Sequence, residues 1–538
     1  MNAVRKESAG PAKWIGDCMC CLAIIAVCLV IALPRYRLGS VFGDEGFLAY
    51  GAVRVMEGQL PNRDFVSLQP PLSFYTVAAA FTIFGTSLAT LRTFGLCLYT
   101  LIPLLIYAIT RQRAGRLTSL VAAAPPLILG MPFFNFVPFA VWQGVTASLV
   151  SVLLVIRAAI TGRRAWALAA GVATAVTILS RHDQGFYVIV AVSIFGLILK
   201  YSSKQSADEH PLEMLAFWAA GTAVPLLILT VPWLVAGAIR DMFQQLVLFP
   251  LTTYASTSSL PVPAIDLSAG RQWAMLASLF YLVPTFYVLV ALNLLRTALV
   301  RRRFDADLRI QAFVLVFSIL FYLQALTRSD IYHLLITLSP FFIVLAWTAA
   351  DVSKSIAEGL NRRARKWPVS WVTPPVVLGT FAAIGVYLLL LVSPAMLTST
   401  KPPIRTLALE RGGVGMDPIS AKTLEGIVTL IQKHAAPDRS MLSLPYEPML
   451  YFLAERRNPT RWNYLWPGDQ TPDDHRALVA QAEKDPPAVI VLTGEKEMQR
   501  HAVTIMDYVH SRFQVEEQIG RWKIYVPRND KAPSRERR

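Results

Sequence analysis

Four short clusters of ionisable residues lie at the ends of apolar stretches and have the residue types needed for group transfer. They are Asp44-Glu45, Arg63-Asp64, Arg181-His182-Asp183 and Arg328 to His333, the last with Asp330 and Tyr332. A carboxylate held near cations can act as a general base that takes the proton of an attacking hydroxyl group. Arginine and histidine side chains can hold a departing phosphate, on which negative charge accumulates in the transition state. These residue types favour the transfer of a sugar from a phosphate to a hydroxyl group.

The residues of these clusters have different predicted roles. Asp44 is predicted to be the base, and Glu45 to support it or to contact the acceptor. The predicted phosphate ligands are Arg181, His182, Arg328 and His333, and the further candidates are Arg63, Asp64, Asp183, Asp330 and Tyr332. Charges at a membrane boundary are costly unless they reach water or one another, so we expect the base and the phosphate ligands to line one cavity. The structural alternatives are a helix cap, local salt bridges and separate solvated loop ends.

The composition indicates that membrane helices must position these residues. Of the 538 residues, 54% are hydrophobic and 16% are charged, whereas soluble domains carry about 25% charged residues. The first 400 positions hold 47 of the 86 charged residues and the last 138 hold 39. We therefore predict a membrane domain over residues 1–398 and a soluble domain over residues 399–538. The net charge of +16 is spread between apolar runs, which argues against nucleic acid as a partner.

Eleven apolar runs are predicted to cross the membrane, two or three of them short for a bilayer. They cover residues 15–33, 88–110, 117–132, 138–156, 165–180, 185–199, 212–238, 273–300, 308–326, 334–350 and 371–394. With the N-terminus inside, 21 of the 30 lysines and arginines in the first 400 positions lie on the cytoplasmic side, as the positive-inside rule expects. This threading places all four clusters and the C-terminal domain outside.

The first outer loop is predicted to contain two helices that lie in the membrane surface. Residues 72–85 are too few to span comfortably, and counting them as a span would place the arginine-rich loops outside. Residues 44–58 carry one apolar stripe, with Asp44 placed to cap the helix and Gly58 to end it. Three tryptophans are predicted to anchor helices at the interface, namely Trp142, Trp233 and Trp273.

The first outer loop also carries a family pattern. Its residues are Asp44-Glu45-Gly46, Tyr50, Gly51, Arg54, Val55, Gly58, Pro61, Arg63, Asp64, Phe65, Pro70-Pro71-Leu72 and Tyr75. The pattern resembles that of GT-C superfamily glycosyltransferases, especially the bacterial enzymes grouped with protein O-mannosyltransferases, lipid A aminoarabinose transferases and rhizobial lipopolysaccharide sugar transferases. Many relatives carry a basic residue before the Pro-Pro pair, where this chain has Gln69, so no phosphate-holding lysine is transferred to that position.

The resemblance implies a fold, a donor and a location. The fold would be a bundle of about a dozen helices with two juxtamembrane helices, and the first acidic residue, here Asp44, would be the base. The donor would be a sugar on a polyprenyl phosphate, and the acceptor a glycolipid, polysaccharide or protein outside the bacterial inner membrane. We expect no nucleotide cofactor, and a divalent metal is compatible with the superfamily. A transporter or flippase of lipid-linked sugars is the alternative, although no internal repeat supports it.

The C-terminal domain is predicted to be α/β. Short β-type runs alternate with helical stretches, which is typical of a parallel sheet. The predicted strands are 441–444, 488–492 and 522–526, and the predicted helices are 421–434, 448–456, 473–483 and 497–512. Tyr446, Glu447 and residues 456–462 are predicted either to contact an acceptor glycan or to be solvated surface. The outer loop 240–272 lacks periodicity, which is typical of a functional loop, such as a lid, or of disorder.

Overall fold

The structure is a computed structural model that describes residues 11–39, 42–202, 211–301, 304–361, 368–397, 404–466 and 469–528. The chain divides into two compact units. The first comprises Met1–Tyr36, Thr93–Val231 and Ser259–Thr400, and the second comprises Arg37–Arg92, Pro232–Ser258 and Lys401–Arg538. The predicted domain boundary at residue 398 lies outside the described residues. By packing, the first outer loop and part of a later outer loop belong with the C-terminal region.

The part of the chain before the C-terminal region is helical. Its helices are α1 (Pro11–Ala32), α2 (Phe42–Met56), α3 (Leu72–Phe84), α4 (Leu88–Thr110), α5 (Arg116–Ala123), α6 (Ala140–Thr161), α7 (Arg164–Ser180), α8 (His182–Ser202), α9 (Pro211–Val235), α10 (Ile239–Phe243), α11 (Ala255–Thr257), α12 (Arg271–Arg301), α13 (Ala306–Thr327), α14 (Ile331–Asn361) and α15 (Val369–Leu397). Short 3-10 turns cover Pro125–Leu127 and Met131–Phe134, and π turns cover Gln244–Leu248 and Pro250–Tyr254.

Within the described ranges, ten helices are long and apolar enough to cross a membrane. The 17-residue α7 corresponds to the remaining predicted run. The predicted run 117–132 is a broken segment, since α5 ends before Pro125-Pro126 and two 3-10 turns follow. Proline lacks the amide hydrogen that an α-helix requires, which explains the break. The prediction of a multi-pass membrane protein is confirmed.

The first unit is a bundle around α14, the most buried of its candidate spans. Helices α1, α9 and α15 are the least buried and expose leucine, isoleucine and valine side chains, as expected where lipid is the solvent. At one end Arg113 forms salt bridges with Asp307 at 2.6 Å and Asp351 at 3.1 Å. These residues come from loops that the threading places in the cytoplasm. Other predicted cytoplasmic residues, Arg302, Arg303 and 362–366, lie outside the described residues.

The second unit contains the two predicted surface helices, α2 and α3. Helix α2 begins at Phe42, so Asp44 lies in its first turn and does not cap it, contrary to the prediction. Two of the three predicted tryptophan anchors are buried, Trp142 in the first unit at 2% exposure and Trp233 in the second at 4%. The anchor prediction is therefore wrong for these two, because both rings pack inside the protein.

The C-terminal region is a mixed α/β fold. Its helices are α16 (Pro418–His434), α17 (Met449–Ala454), α18 (Pro472–Lys484), α19 (Glu495–His501) and α20 (Val503–Arg512), and its strands are β1 (Arg405–Thr406), β2 (Gly415–Met416), β3 (Met441–Leu444), β4 (Val489–Leu492), β5 (Phe513–Ile519) and β6 (Trp522–Pro527). The main sheet has the order β3-β4-β6-β5, and only β3 and β4 are parallel. The prediction of a parallel sheet is wrong for β5 and β6, which form an antiparallel hairpin at Gly520, where φ is +57°.

Candidate functional site

The acidic pair at the start of α2 consists of one buried and one exposed carboxylate. Glu45 is fully buried and accepts two hydrogen bonds from the equally buried Arg92, Nε to Oε1 at 2.5 Å and Nη2 to Oε2 at 2.7 Å. Arg92 also donates to the carbonyl oxygen of Gly39 at 3.2 Å. Breaking a buried charge pair leaves an uncompensated charge, so such a pair holds its elements in place. These contacts suit Glu45 to positioning α2.

Asp44 is exposed and accepts a hydrogen bond from the hydroxyl group of Tyr446. The Tyr446 ring packs edge-to-face against Tyr464 and Trp466, with centroid distances of 5.2 and 5.5 Å. Burial raises the pKa of Tyr446 well above its usual value, and the charge of Asp44 adds to the rise. The tyrosine hydroxyl therefore stays protonated and can donate to the carboxylate.

Two glycines allow the C-terminal region to approach this pair closely. A methyl group at Gly43 would overlap the ring of Tyr446, and a methyl group at Gly46 would overlap the backbone of Met449. Glycine is the residue that permits such close approach of a backbone. The segment from Tyr446 to Met449 therefore lies directly against the first turn of α2.

Residues 456–462, for which the alternatives are an acceptor contact or solvated surface, are mostly buried, and with the adjacent Asn463 they bond to α2. The backbone N–H of Asn458 donates to the hydroxyl of Tyr50 at 2.7 Å. Arg54, which is 4% exposed, donates to the Asn463 side chain at 2.7 Å. Burial lowers the pKa of Arg54. The interpretation as solvated surface is wrong for Asn458 and Thr460, because polar residues are readily buried when their groups find partners.

Arg63 and Asp64 form a partly exposed pair on the same loop. The Arg63 guanidinium donates to both Asp64 oxygens, at 2.8 and 2.7 Å, and the backbone N–H of Leu60 donates to Asp64 at 2.7 Å. Burial raises the pKa of Asp64, but the bonds from Arg63 and Leu60 lower it more, so it lies below its usual value. These contacts agree with the structural alternative, in which the pair clips the loop together.

The outer segment predicted to be a functional loop or disordered is helical over residues 239–257 and is bonded to the first outer loop. Gln245 accepts hydrogen bonds from Ser67 N at 2.9 Å and Asn62 Nδ2 at 3.1 Å, and donates to the Asn62 carbonyl at 2.9 Å. Trp233 Nε1 donates to the Pro61 carbonyl at 2.7 Å. Disorder is therefore excluded for these residues, whereas the role of a lid stays a prediction.

In the first unit, Arg181, His182 and Asp183 lie where α7 ends and α8 begins. Arg181 donates to Asp183 from Nε at 2.8 Å and from Nη2 at 3.2 Å, and the Gln184 N–H donates to the same carboxylate at 2.9 Å. The predicted local salt bridge is thus present. The Arg181 side chain keeps 30% of its surface exposed and is accessible to a ligand.

A similar arrangement occurs where α13 ends and α14 begins. Asp330 accepts from Arg328 Nε at 3.1 Å and from the His333 backbone N–H at 2.9 Å, and lies 2.8 Å from His333 Nδ1. Burial raises the pKa of Asp330, but His333 and Arg328 lower it more, so it lies below its usual value. Tyr332 is 48% exposed, and its ring packs against Phe134 with a centroid distance of 5.4 Å.

A hydrogen bond between two buried glutamines brings these two clusters to one end of the first unit. Gln184 Nε2 donates to Gln324 Oε1 at 3.0 Å. Four buried polar atoms of the two clusters and the two glutamines have no hydrogen-bond partner within the described chain, and they are His182 Nδ1, Gln184 Oε1, Gln324 Nε2 and Ser329 Oγ. Such atoms are uncommon in proteins and indicate a bound group or water. Helices α8 and α14 both begin here, so their N-terminal amides favour an anion.

The structure therefore gathers the predicted phosphate ligands in one unit and pairs the predicted base with Tyr446 in the other. That they line one cavity, and the role of each residue, stay predictions. Sequence reasoning missed Arg92, Gln184 and Gln324. Each is a single polar residue within a turn or two of the end of an apolar run, and this position in the sequence could have identified it as a candidate. Among the described residues, no three His, Cys, Asp or Glu side chains form a group that could hold a metal ion. The compatibility with a divalent metal is untested.

Comparison with known proteins supports the glycosyltransferase prediction. Residues 68–252 match the family model described as dolichyl-phosphate-mannose-protein mannosyltransferase, which covers about a third of the chain. No curated protein matches the chain. These comparisons give the transporter alternative no support.

Solved structures match nearly the whole chain at low sequence identity. The archaeal oligosaccharyltransferase AglB from Archaeoglobus fulgidus, in complex with an inhibitory peptide and a dolichol-phosphate, superposes with a TM-score of 0.55 and 12% identity, covering 98% of this chain and 76% of that chain. ArnT from Cupriavidus metallidurans, bound to undecaprenyl phosphate, superposes with a TM-score of 0.51 and 13% identity, covering 97% of this chain and 99% of that chain. The predicted resemblance is thereby confirmed: the chain has the fold of the GT-C glycosyltransferases, and its residues 68–252 match a mannosyltransferase family model of that superfamily.

Proposed function

We propose that the protein is a membrane glycosyltransferase that moves a sugar from a polyprenyl phosphate to a hydroxyl group of an acceptor outside the cytoplasm. The observation that carries this proposal is the exposed carboxylate of Asp44 in the first turn of α2, a turn that the buried pair of Glu45 and Arg92 holds in place. A base for sugar transfer must reach the acceptor hydroxyl and keep a fixed orientation. The exposure of Asp44 and the fixed turn that carries it support this role.

In the proposed reaction, the acceptor oxygen attacks the sugar carbon that is bonded to the donor phosphate. A carbon–oxygen bond forms to the acceptor as the carbon–oxygen bond to the phosphate breaks. The hydroxyl proton passes to Asp44, and the electron pair of the broken bond leaves with the polyprenyl phosphate. No nucleotide takes part, because the donor is already activated.

The phosphate is proposed to bind in the first unit, beside Arg181, His182, Arg328 and His333. Both arginines are accessible, although each also pairs with a neighbouring aspartate. The unpartnered His182 Nδ1 and Ser329 Oγ offer further hydrogen bonds. The two helix N-termini at this place favour the negative charge that grows on the leaving group.

The class of donor, the class of acceptor and the cellular location are proposed by analogy with proteins that share the fold. AglB and ArnT, which share the fold, were solved with dolichol-phosphate and undecaprenyl phosphate, and this supports a polyprenyl phosphate as the donor carrier. A glycolipid or polysaccharide is the proposed acceptor, with a protein as the further possibility. The proposed location is the bacterial inner membrane, with the N-terminus in the cytoplasm and the C-terminal region in the periplasm.

The test is a transfer assay with purified protein in lipid nanodiscs, radiolabelled polyprenyl-phosphate sugars and a panel of glycolipid and polysaccharide acceptors. Asp44→Asn should lower the turnover rate about 100- to 10,000-fold, the range that a general base supplies. Binding of the labelled donor should persist, because the phosphate ligands are unchanged. The matched control is Asp473→Asn, which removes the charge of an 84% exposed carboxylate in the C-terminal region. Unchanged turnover in Asp44→Asn would remove Asp44 from its role.

A further inference from the structure

We infer that Tyr446 is a positioning residue for Asp44, so that the C-terminal region supplies part of the transfer site. This inference rests on the proposed function, in which Asp44 is the base. It gives the C-terminal region a role in the reaction that differs from the acceptor contact considered in the sequence analysis.

The contact is direct and has a defined direction. The Tyr446 hydroxyl donates to Asp44 Oδ1, and a carboxylate has only acceptor oxygens when ionised. The tyrosine takes up one acceptor position on Oδ1 and leaves Oδ2 to receive the acceptor proton in the inferred arrangement. The tyrosine thus sets the orientation of the carboxylate.

The Tyr446 ring is held in place on several sides. Gly43 and Gly46 let the segment from Tyr446 to Met449 lie against α2. The ring contacts Tyr464 edge-to-face at 85°, and Tyr464 in turn contacts Phe47 of α2 at a centroid distance of 5.3 Å and 79°. Aromatic pairs in this geometry contribute beyond the area that they bury. The hydroxyl therefore has little freedom to leave Asp44.

Other ionisable groups also lie around this bond. Tyr464 lies near both Tyr446 and Asp44, Tyr254 lies near both tyrosines, Asp469 lies near Tyr464, and Glu45 follows Asp44 in the chain. Among the described residues, Tyr446 is the tyrosine whose hydroxyl donates to Asp44. Burial raises the pKa of Tyr464, and burial also raises that of Asp469. Glu45 is paired with Arg92. Loss of the tyrosine hydroxyl should therefore act directly on Asp44.

The experiment is the pH dependence of sugar transfer by Tyr446→Phe, which keeps the ring and removes only the hydroxyl. A carboxylate that loses a hydrogen-bond donor holds its proton more tightly. Since the base acts in its ionised form, the acidic limb of the kcat/KM profile should move to higher pH. At a pH on that limb the rate should fall about ten- to a hundredfold, as expected for loss of a hydrogen bond to a charged group. The KM for the donor should change little.

Two further variants separate the possible outcomes. Tyr525→Phe, which removes another tyrosine hydroxyl bonded to a carboxylate, that of Glu495 at 3.1 Å, should leave the pH profile unchanged. Gly43→Ala, which displaces the Tyr446 ring while keeping its hydroxyl, should shift the profile in the same direction as Tyr446→Phe. Donor binding measured on each preparation reports whether the protein is folded.

An unchanged profile in both Tyr446→Phe and Gly43→Ala, with Asp44→Asn inactive, would overturn the inference and leave the proposed function standing. Full activity of Asp44→Asn would instead overturn the proposed function. A profile shift in the two variants, absent in Tyr525→Phe, supports the inference.

Discussion

Asp44 and Glu45 are neighbours in sequence and have opposite environments. Successive residues of an α-helix point about 100° apart, so one side chain of such a pair faces the interior while the next reaches the surface. Glu45 is buried and bonded to Arg92, whereas Asp44 is exposed and bonded to Tyr446. We propose a matching division of roles, in which the buried carboxylate holds the helix and the exposed one takes part in proton transfer.

The buried pair gives a prediction about stability. Arg92→Met should lower the free energy of unfolding by about 3–5 kcal/mol, because the charge of Glu45 would be left buried without a partner. The double variant Glu45→Leu/Arg92→Met removes both charges and should recover much of the loss. The measurement is the midpoint of denaturant-induced unfolding in detergent micelles.

The matched control for that prediction is Arg63→Met. Its pair with Asp64 is partly exposed, with 41% of the Arg63 side chain accessible, and exposed pairs contribute at most about 1 kcal/mol. If Arg92→Met were no less stable than Arg63→Met, the pair with Glu45 would not be what holds α2.

At the scale of the elements, glycines decide where helices can meet. Because Gly43 and Gly46 have no side chain, the C-terminal segment can pack closely against α2. Gly144 of α6 likewise allows the start of α8 to pack closely. At Gly144 a methyl group would overlap Gln184 Oε1 and lie 2.6 Å from Arg181 Cβ. The proposed phosphate ligands therefore depend on a close approach between helices as well as on their own side chains.

Gly144→Ala should accordingly weaken donor binding. The added methyl group must displace Gln184 and Arg181, and overpacking of this kind costs about 1–3 kcal/mol. We expect a Kd for a polyprenyl phosphate that is weaker by about five- to a hundredfold, since 1.4 kcal/mol corresponds to about a factor of ten. Isothermal titration of the protein in nanodiscs with undecaprenyl phosphate provides the measurement.

Gly359→Ala is the control for this variant. Gly359 lies in α14, and a methyl group there meets no atom within 4 Å. Its Kd should match that of the unchanged protein. Equal affinity of the Gly144→Ala and Gly359→Ala proteins would count against a phosphate site at the start of α8.

At the scale of the whole molecule, the proposed reaction requires the C-terminal region and the clustered cations to face the same side of the membrane. The odd number of predicted spans sends the C-terminus outside, and the arginine-rich loops support this orientation. The fold shared with AglB and ArnT supports the helical architecture. The side of the membrane on which each loop lies is predicted from the order of the spans.

Cysteine labelling tests the sidedness. Ser511→Cys, an exposed position of α20, should react with a membrane-impermeant maleimide in spheroplasts. Ser355→Cys, an exposed position near the end of α14, should react only after the membrane is permeabilised. The labelling is measured relative to the unchanged protein, whose five cysteines all lie in apolar helices. Labelling of residue 511 only after permeabilisation would reverse the orientation and exclude the proposed reaction on the outer side.

Much of the helical architecture could be read from the sequence, for a physical reason. Lipid offers no hydrogen bonds to the backbone, so spanning segments must be long apolar helices, and such runs are visible in the order of residues. The two surface helices and the clusters at the helix ends were predicted on the same basis. The sequence pattern missed strand β5, because most of its side chains are polar and exposed and lack the apolar alternation of a half-buried strand, although its partner β6 follows directly in the chain.

The sequence by itself determined where most of the long apolar helices lie, which residues have the chemistry of a base and of phosphate ligands, and which fold the pattern around Asp44 resembles. Only the tertiary structure decided which carboxylate of the acidic pair is buried and that Tyr446, 402 positions from Asp44, donates to it. The physical reason is the separation in sequence between the residues that determine each feature. Hydrophobic periodicity and helix ends depend on near neighbours in the chain, whereas a hydrogen bond or a buried ion pair depends on which surfaces folding brings together.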